Sequence, residues 1–265
     1  MKIVKKVVIP LVFWLVVWQI AAWAVGGRTL GWYEAGVLAL RESELLLPGP
    51  WTVLRTLTEL VVQAQFWQTA GLTLLRVFLG LLAGVVLGVL IALLTCASVW
   101  CDRILSPLVK VVRATPVASF ILLILLWVQT GRVPGVISAL MVLPVVWGNV
   151  SKGIRQTDPL LLEMAKAYRF DAGKRLRLIY VPSVSPYFSA GVETGLGLAW
   201  KAGVAAEVLC HPKMAVGTQV YLSKLNLETP GLFAWTAVVI LMSFLVESIL
   251  VRLLRKAVKH HGPSP

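Results

Sequence analysis

Six long apolar segments punctuate this chain, at roughly 7–25, 71–95, 108–128, 134–151, 184–208 and 232–252. Each is near the ~20 residues that cross a bilayer's ~30 Å of hydrocarbon at 1.5 Å per residue. None shows the ten-residue in-out alternation of a membrane barrel strand, so helices are predicted, because lipid offers a backbone no other hydrogen-bond partners. The expected fold class is an all-α integral membrane protein of about six transmembrane helices. The first run follows Lys2, Lys5 and Lys6 and ends near Ala22-Trp23-Ala24, which mimics a signal-peptidase site. Its length exceeds a signal h-region, so it reads as a retained first helix.

The polar stretches between these segments divide the chain. Residues 1–70 read as the first helix and an outer interfacial helix, 71–255 as a core containing a charged inner loop at 155–182, and 256–265 as a tail. Pro50 suits a helix start, and Leu54, Leu57, Val61 and Val62 then form an amphipathic stripe. In the second span Gly80, Gly84, Gly88 and Ala92 recur four apart, with Arg76 one turn earlier. That spacing predicts close backbone packing between helices.

The inner loop contains the stretch LLLEMAKAYRFDAGKRLRLIYVPS, residues 160–183, in a chain otherwise dominated by apolar side chains. Leu161, Met164, Ala165 and Tyr168 share one helical face, and Glu163 can pair with Lys166 across one turn. A turn follows at Phe170–Gly173, and Asp171 is placed to cap a second short helix. That helix should carry Lys174, Arg175 and Arg177, bury Leu176 and Ile179, and stop at Pro182. The physics leaves two roles open: an amphipathic segment on anionic lipid, or a helix that docks into a protein groove.

Charge orients the chain. With the N-terminus inside, Lys and Arg number 17 in inner segments and 6 in outer ones, with Arg76 and Lys201 inside spans, which accounts for all 25. Cytoplasmic loops collect positive charge, so both termini and the 155–182 loop are expected in the cytoplasm. The same rule accounts for the basic balance better than nucleic acid does. Three cysteines and three histidines, two of them (His260 and His261) in the tail, give no convergent metal or catalytic set.

The loop spacing resembles the Glu-Ala-Ala motif of ABC importer permeases, of the nitrate/sulfonate/taurine-type branch. From Glu163, Ala165 stands at +2, Ile179 at +16 and Pro182 at +19. TLLRVFLG at 73–80, SPLVKVVRATPVASFILLILLW at 106–127, GLGLAWKAGVAAEVL at 195–209, LPGP at 47–50 and ETPGLFAWT at 228–236 resemble the same branch. Met164, Arg169 and Val181 depart from the motif's Ala, Gly and Leu. A Gly would favour a left-handed turn, so Arg169 implies a different turn geometry or an extra charged contact.

The resemblance implies a permease subunit in the cytoplasmic (inner) membrane. Leu161, Glu163, Met164, Ala165, Tyr168 and Arg169 would form the coupling element. The partners implied are a separate ATPase subunit holding ATP and magnesium, a second permease copy, an extracytoplasmic solute-binding protein and the lipid bilayer. No cofactor is expected on this chain, which has no phosphate-binding G-x-x-x-x-G-K-[ST] loop. A small, anionic solute of sulfonate, nitrate or taurine type is the expected cargo.

Polar groups within spans are the candidates for a translocation path. Glu193, Gly197 and Lys201 recur four apart, with Trp200 adjacent. Glu193 stands where many relatives of that branch carry a basic residue. Trp127 and Trp147 are further candidates for lining, and Glu207 and Glu247 are expected to be solvated or capping near span ends. A gradient-driven secondary transporter is the alternative, but no repeat between the halves supports it.

Overall fold

The computed structural model describes residues 2–29 and 46–259. The outer connection at 30–45, with Arg41, and the tail histidines His260 and His261 lie outside the described residues. The elements are helical throughout: α1 (Lys2–Thr29), α2 (Pro50–Val61), α3 (Ala64–Ala97), α4 (Val99–Ala114), α5 (Val117–Ile124), α6 (Val133–Arg155), α7 (Pro159–Ala167), α8 (Ala172–Arg175), a π-helical turn (Leu176–Tyr180), α9 (Val181–Cys210), α10 (Val216–Leu225) and α11 (Thr229–Lys259).

Among the described residues, four helices are long and apolar enough to cross a membrane, within Val8–Val25, Ala64–Ala97, Val133–Arg155 and Thr229–Arg252. A fifth span is available if the bent pair α4–α5 counts as one. The expected unbroken span at 108–128 is not formed, because α4 and α5 meet at 105°. The cause lies in Thr115-Pro116. A residue before proline is pushed out of the α region, and Thr115 is extended at φ −78°, ψ 133°. Pro116 then caps α5. α9 is 30 residues long and carries Glu193, Lys201 and Glu207 within its length.

The chain forms two compact units. The first comprises residues 1–72 and 213–240. Here Trp18 stacks on Phe233 at 5.9 Å, and Phe66 on Trp235 at 5.4 Å. α2 forms where the sequence predicts it, with Pro50 in its first turn. Its buried residue is Val53, whereas Leu54, Val61 and Val62 of the expected stripe are exposed. The helix has turned about one residue from the face that the apolar spacing favoured.

The second unit comprises residues 73–212 and 241–265. Its centre is α6, which packs against α3 and α9. A Cβ added at Gly80 would lie 2.2 Å from the Gly135 carbonyl oxygen, at Gly84 2.6 Å from that of Ala139, and at Gly88 2.9 Å from that of Leu143. The α3 and α6 backbones therefore approach where no side chain fits between them. Gly203 on α9 fits in the same way against Val77 and Ser138, and the Ser138 hydroxyl donates to the Ala199 carbonyl at 3.0 Å. Ile121, Ile124, Val133, Ile137, Ala202, Ala206 and Cys210 complete a continuous apolar core.

Candidate functional site

The polar linker after α6 opens α7. The Asp158 carboxylate accepts the Leu160 backbone N–H at 2.9 Å, and Pro159 fills the first turn, where its missing N–H costs nothing. Two backbone bonds close the helix. The Arg169 N–H donates to the Lys166 carbonyl at 3.0 Å, and the Phe170 N–H to that of Ala165 at 2.8 Å. These are the paired bonds of a Schellman ending, which needs a left-handed residue. Arg169 supplies it at φ 49°. The expectation of a different turn geometry at Arg169 is thus corrected. The turn is the one a glycine would make, held by a residue for which that conformation is strained.

The structure divides the expected coupling face. Ala165 is buried against its own chain, whereas Leu160, Leu161, Met164 and Tyr168 are exposed, Tyr168 at 74%. Glu163 and Arg169 are also exposed, and Glu163 forms no ion pair with Lys166 among the described residues. α7 is thus seated by one small residue and presents its larger apolar residues outward.

Asp171 caps α8, accepting the Lys174 N–H at 3.4 Å. Ile179 is buried as expected, but Leu176 is 54% exposed. Pro182 does not end the helix. The chain passes from α8 through the π turn into α9, with Leu176, Tyr180 and Val181 all in helical conformation. The Val181 N–H reaches back five residues to the Leu176 carbonyl. That wider turn shifts the carbonyls that an α-helix would drive against the proline ring. Pro182 then falls in the first turn of α9, a position that proline suits.

On α9, Lys201 is exposed, Glu193 and Gly197 are half-buried, and Gly197 opens onto space with nothing within 4 Å of an added Cβ. Ala190, Thr194, Leu198 and Ala205 continue this uncovered stripe. Trp200 turns the other way. It is buried, and its indole N–H has no hydrogen-bond partner among the described residues. So Glu193, Gly197 and Lys201 share one face, and Trp200 leaves it. Trp127 is exposed, and the Trp147 indole donates to Thr95 Oγ1 at 3.1 Å.

Glu207 corrects the expectation of a solvated group. It is fully buried, accepts the Thr73 hydroxyl (2.9 and 3.0 Å to its two oxygens) and pairs with Arg76 at 3.4 Å. A buried carboxylate without such partners would be prohibitively costly. The sequence carried the signal, since Arg76 and Glu207 are opposite charges inside apolar spans, but they lie 131 residues apart. Glu247 is exposed. Among the described residues, no group of three or more His, Cys, Asp or Glu is placed to hold a metal ion.

Residues 84–260 match the family described as binding-protein-dependent transport system inner membrane component. The taurine transport system permease protein TauC of Escherichia coli (strain K12) is 26% identical over 238 residues, covering 87% of this chain and 86% of the relative. The putative aliphatic sulfonates transport permease protein SsuC of Bacillus subtilis (strain 168) is 27% identical over 256 residues, covering 96% and 87%. Among solved structures, an amino acid ABC transporter crystallised with histidines superposes with a TM-score of 0.57 at 18% identity, over 71% of this chain and 90% of that one. That likeness speaks to the fold alone.

Proposed function

The chain belongs to the family of binding-protein-dependent transport system inner membrane components, and from that premise we propose how it works as an importer subunit. It is a multi-pass membrane permease of the ABC type. Its coupling element is α7, which docks into a cytoplasmic ATPase subunit. ATP and magnesium sit on that partner, and hydrolysis happens there. An extracytoplasmic binding protein delivers a small anionic solute of sulfonate or taurine type, the class named in the two relatives above. Both termini lie in the cytoplasm, as the distribution of Lys and Arg favours.

One observation carries the reading. α7 is a short, doubly capped helix that shows Leu160, Leu161, Met164 and Tyr168 outward while Ala165 seats it on its own chain. Exposed apolar residues on a rigid, polar-flanked helix suit a groove in a partner. Exchange of nucleotide in the partner would then bias a bistable helix packing between inward- and outward-facing states.

The uncovered stripe of α9 supports pairing with a second copy around a shared path. There Glu193 and Gly197 line the route, and Lys201 meets the anion. A two-fold pair would bring two such stripes together.

Leu161→Glu with Met164→Glu tests the docking. Both side chains are exposed, so the fold should persist. Each loses a contact worth about 1.5–3 kcal/mol if fully buried in the partner. Co-purification of the ATPase subunit and uptake should both fall by about 10-fold or more at unchanged expression. Full retention of the ATPase subunit by this double variant would end the docking reading.

A further inference from the structure

A second feature lies on α4 and α6, away from the faces used above. A cavity of about 480 Å³ is lined by Asp102, Ser106 and Lys110 of α4 and by Trp147, Gly148, Ser151, Lys152 and Arg155 of α6, with Gln156. Its volume is within the ordinary range for small-molecule sites. Three cations line it against one carboxylate. That carboxylate is already engaged, since Asp102 pairs with Arg155 at 3.5 Å and accepts the Ser106 hydroxyl at 2.7 Å. Lys110 and Lys152 have no carboxylate partner among the described residues.

The floor of the cavity separates it from a merely basic surface. Ser151 is buried, and its hydroxyl has no hydrogen-bond partner among the described residues. A buried donor left unpaired is costly, so such a group calls for an acceptor. Nothing lies within 4 Å of a Cβ added at Gly148, which leaves that part of the cavity wall open. The wall is fixed, because the Trp147 indole is tied to Thr95.

We infer that this cavity binds an oxyanion, a sulfate, sulfonate or phosphate group. Lys110 and Lys152 supply charge, and the Ser151 hydroxyl donates from below. Arg155 is held by Asp102 so that its remaining N–H groups form one side. An oxyanion offers several acceptor oxygens to such a convergent set of donors. Arg155 and Gln156 close α6 just before Asp158 caps α7. On the reading that α7 faces the cytoplasm, on which only this placement rests, the cavity opens on the side where transported solute is released. The oxyanion can come from free solute or from an anionic lipid headgroup.

The full chain, reconstituted in phosphatidylcholine nanodiscs without anionic lipid or other oxyanions in the buffer, is titrated with sodium sulfate, with sodium chloride matching ionic strength. Saturable binding is expected by calorimetry, with a rise in melting temperature. Lys110→Met with Lys152→Met should weaken it by about 10-fold or more. Gly148→Leu, which fills open space, should abolish it with little loss of stability. Ser151→Ala should raise the melting temperature without sulfate and shrink the rise that sulfate produces. If sulfate has no effect but phosphatidylglycerol stabilises the parent chain and not the double lysine variant, the site stands and the lipid headgroup is its source. No response to sulfate, together with equal lipid responses in parent and variant, would overturn the site. Failed sulfonate uptake in an assembled transporter would overturn the proposed cargo and leave the cavity's sulfate binding intact, so the two failures are distinguishable.

Discussion

Arg169 holds a left-handed conformation that costs an L-residue roughly 1–2 kcal/mol relative to its right-handed alternatives. Glycine escapes that cost but loses more backbone freedom on folding. Arg169→Gly is therefore expected to stabilise the chain by about 1 kcal/mol or less, seen as a small rise in melting temperature. A fall in melting temperature would mean that the guanidinium makes a contact that outweighs the strain. Glu207 is the opposite case, since its buried charge is held by partners that include Thr73 and Arg76. Glu207→Ala should cost about 3–5 kcal/mol by leaving Arg76 without its carboxylate. In a double-mutant cycle with Arg76→Met, the second substitution should recover part of that loss. Single residues were unevenly legible in the sequence. Asp171 announced its capping role, because capping is settled within three residues of chain. Glu207 did not, because its partners come from a distant helix.

Among the elements, α3 and α6 show what a periodic stripe of small residues can specify. Gly80, Gly84 and Gly88 sit where added side chains would meet the α6 backbone. Gly84→Leu should force the two helices apart and lower folded yield in detergent sharply, while Gly71→Leu, with open space at its Cβ, should not. Equal yields of the two variants would show that the close approach contributes little. The stripe was readable because helical period and side-chain size are both local properties. The breaks were harder. Thr115-Pro116 lies inside a long apolar run, and hydropathy alone reads through it. Pro182 misled in the other direction, since a proline ends one helix and begins another by the same chemistry. Only the turn before it, widened by one residue, decides between the two.

At the scale of the whole molecule, the uncovered stripe of α9 is what supports the proposed pairing with a second copy. If two copies pair along it, Leu198→Cys should form a cross-linked dimer under mild oxidation in native membranes, and Leu222→Cys on α10, exposed but off the stripe, should not. Absence of the Leu198 cross-link beside normal uptake would place the paired face elsewhere. The membrane class, the helical architecture and the family were legible because they rest on composition, span length and a local motif. What covers a surface was not, because that depends on a surface the chain does not itself supply. The π turn adds a mechanical consequence. From Ala172 to Cys210 the backbone is one uninterrupted rod, roughly 58 Å long at 1.5 Å per residue. A push at its α8 end therefore reaches Glu193 and Lys201 through continuous helix rather than a loop. Between them the hydrogen-bond register is displaced at Leu176–Tyr180, so the rod should flex there first, like a wrist behind a stiff forearm.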